Sequence, residues 1–153
     1  SRKLKLDNKK IKDINFKIIS KIVNLLSNKE IKISIEPISR KYDVKFLNKH
    51  HEVSEFINEI NSAKIQLLLD TGNLYDENLD FKTVYNKYKK SINHIHLSEV
   101  NLKKFNLKRI DEVLHYLSKE NYRKSVSIEY VSDKGKNIQE IFQFLKQNYN
   151  RYL

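Results

Sequence analysis

The sequence predicts an α/β fold in which four parallel strands alternate with helices. Two kinds of segment alternate along the chain: longer ones whose apolar residues recur at intervals of three and four, and short ones rich in Ile, Val and Leu. The first pattern is typical of amphipathic helices, and the second is typical of strands buried on at least one side. Because a helix between two strands lets the second strand run in the same direction as the first, this alternation favours a parallel sheet with right-handed crossovers.

The first half of the chain contains an opening helix and two strand-helix units. The segment 11–26, IKDINFKIISKIVNLL, has the helical spacing, and a strand of alternating Ile is predicted at 31–36, IKISIE. A helix at 50–60 follows, then a buried strand at 65–70, IQLLLD, and a helix at 81–89. The expected N-caps of these two helices are Asn48 and Asp80.

The second half repeats the pattern with two further strand-helix units. Strands are predicted at 92–97, INHIHL, and at 125–129, SVSIE, each followed by a segment of helical period at 108–118 and 138–147. The expected N-caps are Asn106 and Asn137. Successive strands begin about 34, 27 and 33 residues apart, and no Gly- or Pro-rich linker interrupts them.

Length and composition narrow the class of protein. A chain of 153 residues can bury one ordinary core, so we expect a single domain spanning residues 1–153. No apolar run approaches membrane-span length, and the opening SRKLKLDNKK lacks the apolar segment of a secretory signal, so we expect a soluble, cytoplasmic protein without membrane contact. Because the chain has no cysteine, any metal ligand must be Asp, Glu, His or Asn.

The net charge of +11 raises nucleic acid as a partner. The lysines, however, are scattered along the faces of the predicted helices rather than gathered in one patch between aromatic residues. A solvated basic surface is therefore favoured over a polyanion site. A phosphorylated small substrate would also benefit from the positive field.

Each predicted strand ends at, or one residue past, a side chain that can bind a cation or move a proton. These side chains are Glu36, Asp70, His96 and Glu129. Counting back in steps of two places all of them on the less aliphatic face of their strands, so they should converge at the carboxyl edge of the sheet. His94 shares that face one layer deeper.

Three carboxylates at one edge, beside an imidazole, would repel one another unless a divalent cation neutralises them. An oxygen-rich set with one histidine suits Mn²⁺, Mg²⁺, Co²⁺ or Zn²⁺ without choosing among them. Taken alone, each carboxylate is more typical of a loop residue or a helix N-cap, and His96 is also consistent with a hydrogen-bonded core histidine. The shared parity of all four is what favours a metal site. The remaining histidines lie on predicted helices and are expected at the surface: His50, His51 and His115.

Five motifs in order make the chain resemble a known family. They are ISIEP, RKYDVKFLN, LLLDTGN, INHIHLSEVNL and SVSIEY. Together they are similar to the second half of the sugar phosphate isomerase/epimerase family, the xylose isomerase-like TIM barrels. The resemblance implies a (β/α) half of a TIM barrel, with four parallel strands that correspond to strands five to eight.

The resemblance also implies roles for individual residues. The metal ligands would be Glu36, Asp70, His96 and Glu129, and the two glutamates would also be catalytic, moving a proton at a carbon beside a metal-polarised carbonyl of a sugar or sugar phosphate. The implied substrate-binding residues are His94, Asn73, Arg40 and Glu99. Asn73 stands where many members of the family have a histidine.

A full barrel of this kind has eight strands, so the resemblance leaves half of the substrate pocket unaccounted for. We therefore expect either a piece of a longer protein, with the N-terminal half-barrel supplied elsewhere, or a half-barrel that forms a homo-oligomer, and little isomerase activity from this chain alone. Two alternatives remain open. One is an endonuclease IV-like DNA-repair barrel acting on abasic sites, although its D-x-H strand motif is not found here. The other is a non-catalytic remnant or binding module that keeps the fold.

Overall fold

The computed structural model describes residues 8–44, 46–131, 136–148 and 152. The strands are β1 (Ile33–Ile35), β2 (Ile65–Asp70), β3 (Ile92–Leu97) and β4 (Ser125–Ile128). The helices are α1 (Asn8–Leu25), α2 (His50–Ile60), α3 (Thr71–Asp76), α4 (Phe81–Tyr88), α5 (Leu107–Lys119) and α6 (Lys136–Asn148). Two 3₁₀ turns, Arg40–Tyr42 and Val100–Leu102, follow β1 and β3. The predicted alternation of strands and helices is confirmed.

The four strands form one sheet in the order β1-β2-β3-β4. β1 pairs with β2 in parallel, with Ile35 opposite Leu67, and β3 pairs with β4 in parallel, with Leu97 opposite Ile128. The parallel sheet predicted from the alternation is therefore confirmed. Sheet order follows chain order, as expected when each crossover is short and packs beside the previous one.

Strand β1 is shorter than predicted. It begins at Ile33 rather than Ile31, whose side chain is exposed, and it ends before Glu36. Two features of its surroundings explain why β1 is short. β1 has one strand neighbour in the sheet, and Pro37 lacks the N–H group with which a further residue would extend the ladder. Glu36 is thus the first residue of the loop after β1.

Helix α3 was not predicted. It begins immediately after β2, and the Asp70 side chain caps it by accepting a hydrogen bond from Asn73 N. Its sequence, TGNLYD, contains glycine and asparagine, which have low helix propensity, and it spans fewer than two turns. The segment is therefore too short for a helical pattern of apolar residues to be recognised in the sequence.

The chain divides into two compact units. The first comprises Ser1–Leu68 with Lys90–Asn93, and its core includes Val53, Phe56, Ile65 and Leu67. In this core Phe56 packs edge-on against Phe16, at 6.3 Å between ring centroids. This contact joins α1 to α2. The expectation of a single domain over residues 1–153 stays a prediction.

The second unit comprises Leu69–Lys89 with His94–Leu153. Leu69, Leu74, Ile95 and Ile141 are fully buried in its core. An aromatic cluster centred on Tyr85 joins α4 to α5 and to the chain before β4. Its pairs include Tyr85 with Phe81, Tyr116 and Tyr122, at 5.8, 5.7 and 6.1 Å between ring centroids. No described helix combines the length and hydrophobicity needed to span a membrane.

His50 was expected at the surface, and this prediction is wrong. His50 is 8% exposed because it lies on the face of α2 that also carries the buried Val53 and Ile57. Positions 50, 53 and 57 follow the helical spacing, so the pattern was present in the sequence. Burial, followed by the nearby His51, lowers the pKa of His50 to about 4.

Candidate metal centre

Three of the predicted metal ligands meet in the second unit. Asp70 ends β2, His96 lies near the end of β3, and Glu129 follows β4. One ligand atom from each lies within 4.8 Å of the others. His96 Nδ1 is 3.0 Å from Glu129 Oε2 and 4.0 Å from Asp70 Oδ2. We refer to Asp70, His96 and Glu129 as the rim cluster.

The pairing of β3 with β4 explains why His96 and Glu129 meet. His96 lies opposite Ser127, and Glu129 N donates a hydrogen bond to Leu97 O at 3.0 Å, which extends the ladder one residue past β4. Glu129 is two residues after Ser127 and therefore projects from the same face as His96. The shared face predicted from the sequence is thus the reason why the His96 and Glu129 side chains are in contact.

Backbone and side-chain donors hold the Asp70 carboxylate in place. Oδ1 accepts a hydrogen bond from Asn73 N at 2.6 Å, and Oδ2 accepts one from Ser98 Oγ at 2.6 Å. The first of these is the N-cap hydrogen bond of α3, in which the carboxylate accepts from the backbone N–H of Asn73. These two hydrogen bonds therefore orient the buried Asp70 carboxylate.

The electrostatics of the rim cluster favour a cation. Burial raises the pKa of Asp70, the hydrogen bonds from Ser98 and Asn73 act against this rise, and the neighbouring Glu129 adds to it. Two carboxylates near each other in a partly desolvated space are costly when both are ionised. Together with an imidazole they form a donor set that divalent cations bind, and Nδ1 is the His96 nitrogen that faces both carboxylates. Within the described ranges, no group outside this centre has comparable spacing.

His94 lies beside the rim cluster on the same strand. Its Nε2 is 2.7 Å from Ser127 Oγ, and its ring packs edge-on against the His96 ring at 5.0 Å between centroids. Burial, followed by the charge of His96, lowers the pKa of His94. A neutral imidazole is favoured there, with one nitrogen hydrogen-bonded to Ser127.

Asn73 and Glu99, two of the predicted substrate-binding residues, make different contacts in the structure. Asn73 lies in the first turn of α3 and touches the site through its N–H bond to Asp70. Glu99 is buried, and its carboxylate accepts hydrogen bonds from Arg109 Nη1 at 2.9 Å and from Asn106 N at 3.2 Å. Glu99 therefore anchors the start of α5.

The other two predicted site residues, Glu36 and Arg40, belong to the first unit. Glu36 is half-buried, follows β1 directly and makes interactions of its own. Arg40 opens the 3₁₀ turn, and its side chain is 71% exposed, with Nη2 3.9 Å from Glu52 Oε1. This contact is long and solvent-exposed, so the guanidinium stays accessible.

Sequence reasoning missed the residues that support Asp70. These are Thr71, Gly72 and Ser98, which are buried between the end of β2 and the end of β3. One signal was available. Small residues follow both strands, in LLLDTG and HIHLS, and small residues permit close approach of two chain segments.

Comparison with known proteins gives a family match over most of the chain. The model of the family described as xylose isomerase-like TIM barrel matches residues 11–148. Among curated proteins, none matches this sequence.

Solved structures of low sequence identity share the fold. D-psicose 3-epimerase from Clostridium cellulolyticum H10 is 19% identical, with a TM-score of 0.72 over 91% of this chain and 50% of that one. AP endonuclease, family 2, from Brucella melitensis is 15% identical, with a TM-score of 0.72 over 92% and 57%. 3-keto-D-glucoside 4-epimerase from E. coli is 15% identical, with a TM-score of 0.68 over 91% and 55%. The chain thus spans about half the length of the solved structures that it matches.

Proposed function

The chain belongs to the xylose isomerase-like TIM barrel family, and we propose that it carries the metal-binding half of a sugar or sugar-phosphate isomerase or epimerase. The observation that carries this proposal is the convergence of Asp70, His96 and Glu129 at the carboxyl ends of neighbouring strands. Catalytic groups of barrels lie at this end of the strands. The sugar epimerases among the structural matches support the substrate class.

The proposed metal site consists of the rim cluster with Glu36 as a fourth ligand. Glu36 directly follows β1 and has the strand parity of Ser34, and this position after a strand supports the assignment. Three carboxylates and one imidazole accept Mn²⁺, Mg²⁺, Co²⁺ or Zn²⁺. When bound, such an ion would polarise a substrate carbonyl.

Glu36 and Glu129 are the proposed acid-base pair. Removing a proton from the carbon beside a carbonyl requires a carboxylate within reach of that carbon, and epimerisation requires a second group to return a proton. The Glu129 side chain is 43% exposed while it contacts His96, so it has access to a substrate from the rim. Glu36 is half-buried at the end of its strand.

The proposed substrate contacts come from His94 and Arg40, with support from Asn73 and Glu99. A neutral His94 can donate to or accept from a sugar hydroxyl, and an exposed Arg40 can bind a hydroxyl or a phosphate. Asn73 and Glu99 have contacts that favour positioning roles, since the first orients Asp70 and the second is paired with Arg109.

Calorimetric titration of Mn²⁺ into the metal-free chain tests the metal site. We expect one ion per chain, with binding weakened at least about tenfold in Glu129→Gln and His96→Ala, because each substitution removes a ligand. The matched controls are Glu112→Gln and His115→Ala, which change exposed residues of α5. Both control variants should bind Mn²⁺ with the affinity of the parent chain. Equal affinity in the parent, the ligand variants and the controls would show that these side chains are ordinary loop-end polar residues.

Hydrogen exchange tests the proposed proton removal by Glu129 even if no isomerised or epimerised sugar is formed. The Mn²⁺-loaded chain is incubated in D₂O with ketoses and ketose phosphates, and NMR follows deuterium incorporation at the carbon beside the carbonyl. We expect slow exchange that requires Glu129, because four strands of an eight-stranded barrel supply an incomplete pocket and loss of positioning raises the barrier. Exchange at the same rate in Glu129→Gln would refute the acid-base role.

Two observations favour an alternative, an endonuclease IV-like enzyme for abasic sites. The chain has a net charge of +11, and an AP endonuclease is among its structural matches. A metal-dependent cut of a DNA duplex with one abasic site, absent in His96→Ala, would support this alternative. Metal binding without exchange or cleavage would instead support a non-catalytic binding module.

A further inference from the structure

A buried hydrogen-bond network joins the end of β2 to the residue that follows β3. Ser98 Oγ donates to Asp70 Oδ2 at 2.6 Å and accepts from Gly72 N at 2.8 Å. Thr71 Oγ1 donates to Ser98 O at 2.7 Å and accepts from Ser98 N at 2.8 Å. Both polar backbone groups of Ser98 and its hydroxyl therefore bond to the segment Asp70–Gly72.

The network determines which group accepts the hydrogen of the Ser98 hydroxyl. Because Gly72 N–H is a donor, Ser98 Oγ must accept from it, and its own hydrogen is then free for the Asp70 carboxylate. Ser98 is 3% exposed, Thr71 2% and Asp70 4%, so bulk water has little access to compete for these bonds. A hydrogen bond from a buried hydroxyl to a carboxylate is among the stronger ones in proteins.

Gly72 makes this close approach sterically feasible. A Cβ atom at position 72 would lie 2.4 Å from Ser98 Oγ and 2.8 Å from Glu99 O. Any larger residue would push the loop after β3 away from α3 and lengthen the bond to Asp70. Gly72 is therefore needed for the hydrogen bond between Ser98 and Asp70.

We propose that Ser98 is a positioning residue that fixes the Asp70 carboxylate for metal binding, an inference that rests on the proposed function. With Oδ1 held by Asn73 N and Oδ2 by Ser98 Oγ, the carboxylate plane is fixed at both oxygens. A fixed ligand loses less conformational freedom when an ion binds. Outer-shell partners of metal ligands change metal affinity for this reason.

The test is a double-mutant cycle on Mn²⁺ affinity, measured by calorimetry and by the EPR signal of free Mn²⁺. We expect Ser98→Ala to weaken binding about 10- to 100-fold. In the Asp70→Asn background the same substitution should have little further effect, because its route to the metal is already removed. Ser98→Cys keeps a donor at this position, although the sulfur is larger than the oxygen and donates more weakly. It should give an intermediate loss and covers the case in which Ser98→Ala does not fold.

Thr71→Val separates positioning from simple structural support. It removes a buried hydroxyl of the same network that bonds to the Ser98 backbone rather than to the Asp70 carboxylate. We expect it to lower the melting temperature with a smaller change in Mn²⁺ affinity than Ser98→Ala causes.

Two results would overturn the inference while leaving the proposed function intact. One is parent-like Mn²⁺ affinity in folded Ser98→Ala or Ser98→Cys, which would make Ser98 a structural tie only. The other is an equal loss of affinity from Ser98→Ala in the presence and absence of the Asp70 carboxylate. A parent chain that binds no Mn²⁺ would overturn the proposed function together with this inference.

Discussion

Burial gives the histidines of this chain different chemical roles. His94 and His96 are half-buried side by side on β3, where one bonds to Ser127 and the other to Glu129. His50 is buried on α2, whereas His51 and His115 are exposed. The sequence motif H-x-H identified the first two, since alternate strand residues share a face. His50 differs from them because it is buried on the face of α2 that also carries Val53 and Ile57, and burial disfavours the charged imidazole.

His50 should make the chain less stable in mild acid. Its pKa is lowered from 6.5 to about 4 in the folded state, so between these values the unfolded chain binds the proton more readily. The stabilisation is complete above about pH 6.5 and is lost as the pH falls towards 4. Between pH 7 and pH 5 we expect a loss of about 2 kcal/mol in the free energy of unfolding from this group.

Urea unfolding at several pH values checks this prediction. His50→Gln should flatten the fall in stability between pH 7 and pH 5, whatever its effect at neutral pH, because glutamine does not titrate. The adjacent and exposed His51→Gln is the matched control and should keep the fall. Identical pH profiles for His50→Gln and the parent would contradict a buried neutral imidazole.

At the scale of the element, side-chain caps fix where the helices begin. Asp70 caps α3, Asp80 caps α4, and Asn106 caps α5, each by accepting a backbone N–H. The predicted caps Asp80 and Asn106 are confirmed. Asn48 does not cap α2, because its side chain donates to Ile38 O and Val44 O, and Lys49 occupies the N-cap position.

The fourth predicted cap, Asn137, lies inside α6, which begins one residue earlier. Its side chain is outside the described residues.

Removing the cap of α4 should destabilise the chain by a predictable amount. The Asp80 carboxylate accepts hydrogen bonds from Thr83 N and Thr83 Oγ1, each at 2.8 Å. Asp80→Ala leaves that N–H without its side-chain acceptor, and we expect a loss of about 1 kcal/mol in the free energy of unfolding. Asp80→Asn keeps a capping oxygen and should lose less. Chemical denaturation of the three proteins measures the difference, and equal destabilisation by Ala and Asn would show that charge rather than capping matters.

At the scale of the whole molecule, apolar surface remains uncovered. Ile14, Ile18, Ile22 and Leu25 are 40%, 50%, 38% and 77% exposed, and their spacing of four, four and three places them in one stripe along α1. Among the described residues, strands β1 and β4 each have one strand neighbour in the sheet. Contiguous apolar surface and open strand edges both favour association.

We therefore predict that the purified chain self-associates. Light scattering at micromolar concentration should give a mass above 18.4 kDa, because covering apolar area is worth about 25 cal/mol per Å². The double variant Ile18→Gln/Ile22→Gln should shift the mass towards the monomer. Ile31→Gln, an exposed isoleucine outside the stripe, serves as the control. A stable monomer of the parent chain would refute the prediction.

The sequence by itself determined the alternation of strands and helices, their parallel pairing, and the rim cluster. The strand period of two fixes which side chains share a face, so Asp70, His96 and Glu129 could be chosen by parity. Local signals sufficed because each depends on residues that are close along the chain.

Only the tertiary structure showed how the Asp70 carboxylate is held. The partners Ser98 and Asp70 are 28 positions apart, and whether a serine hydroxyl reaches a given carboxylate depends on the approach of two loops by fractions of an ångström. The burial of His50 and the engagement of Glu99 by Arg109 were likewise fixed by packing. Chain-local periodicity carries no information on such distances, because they result from how separate segments pack together.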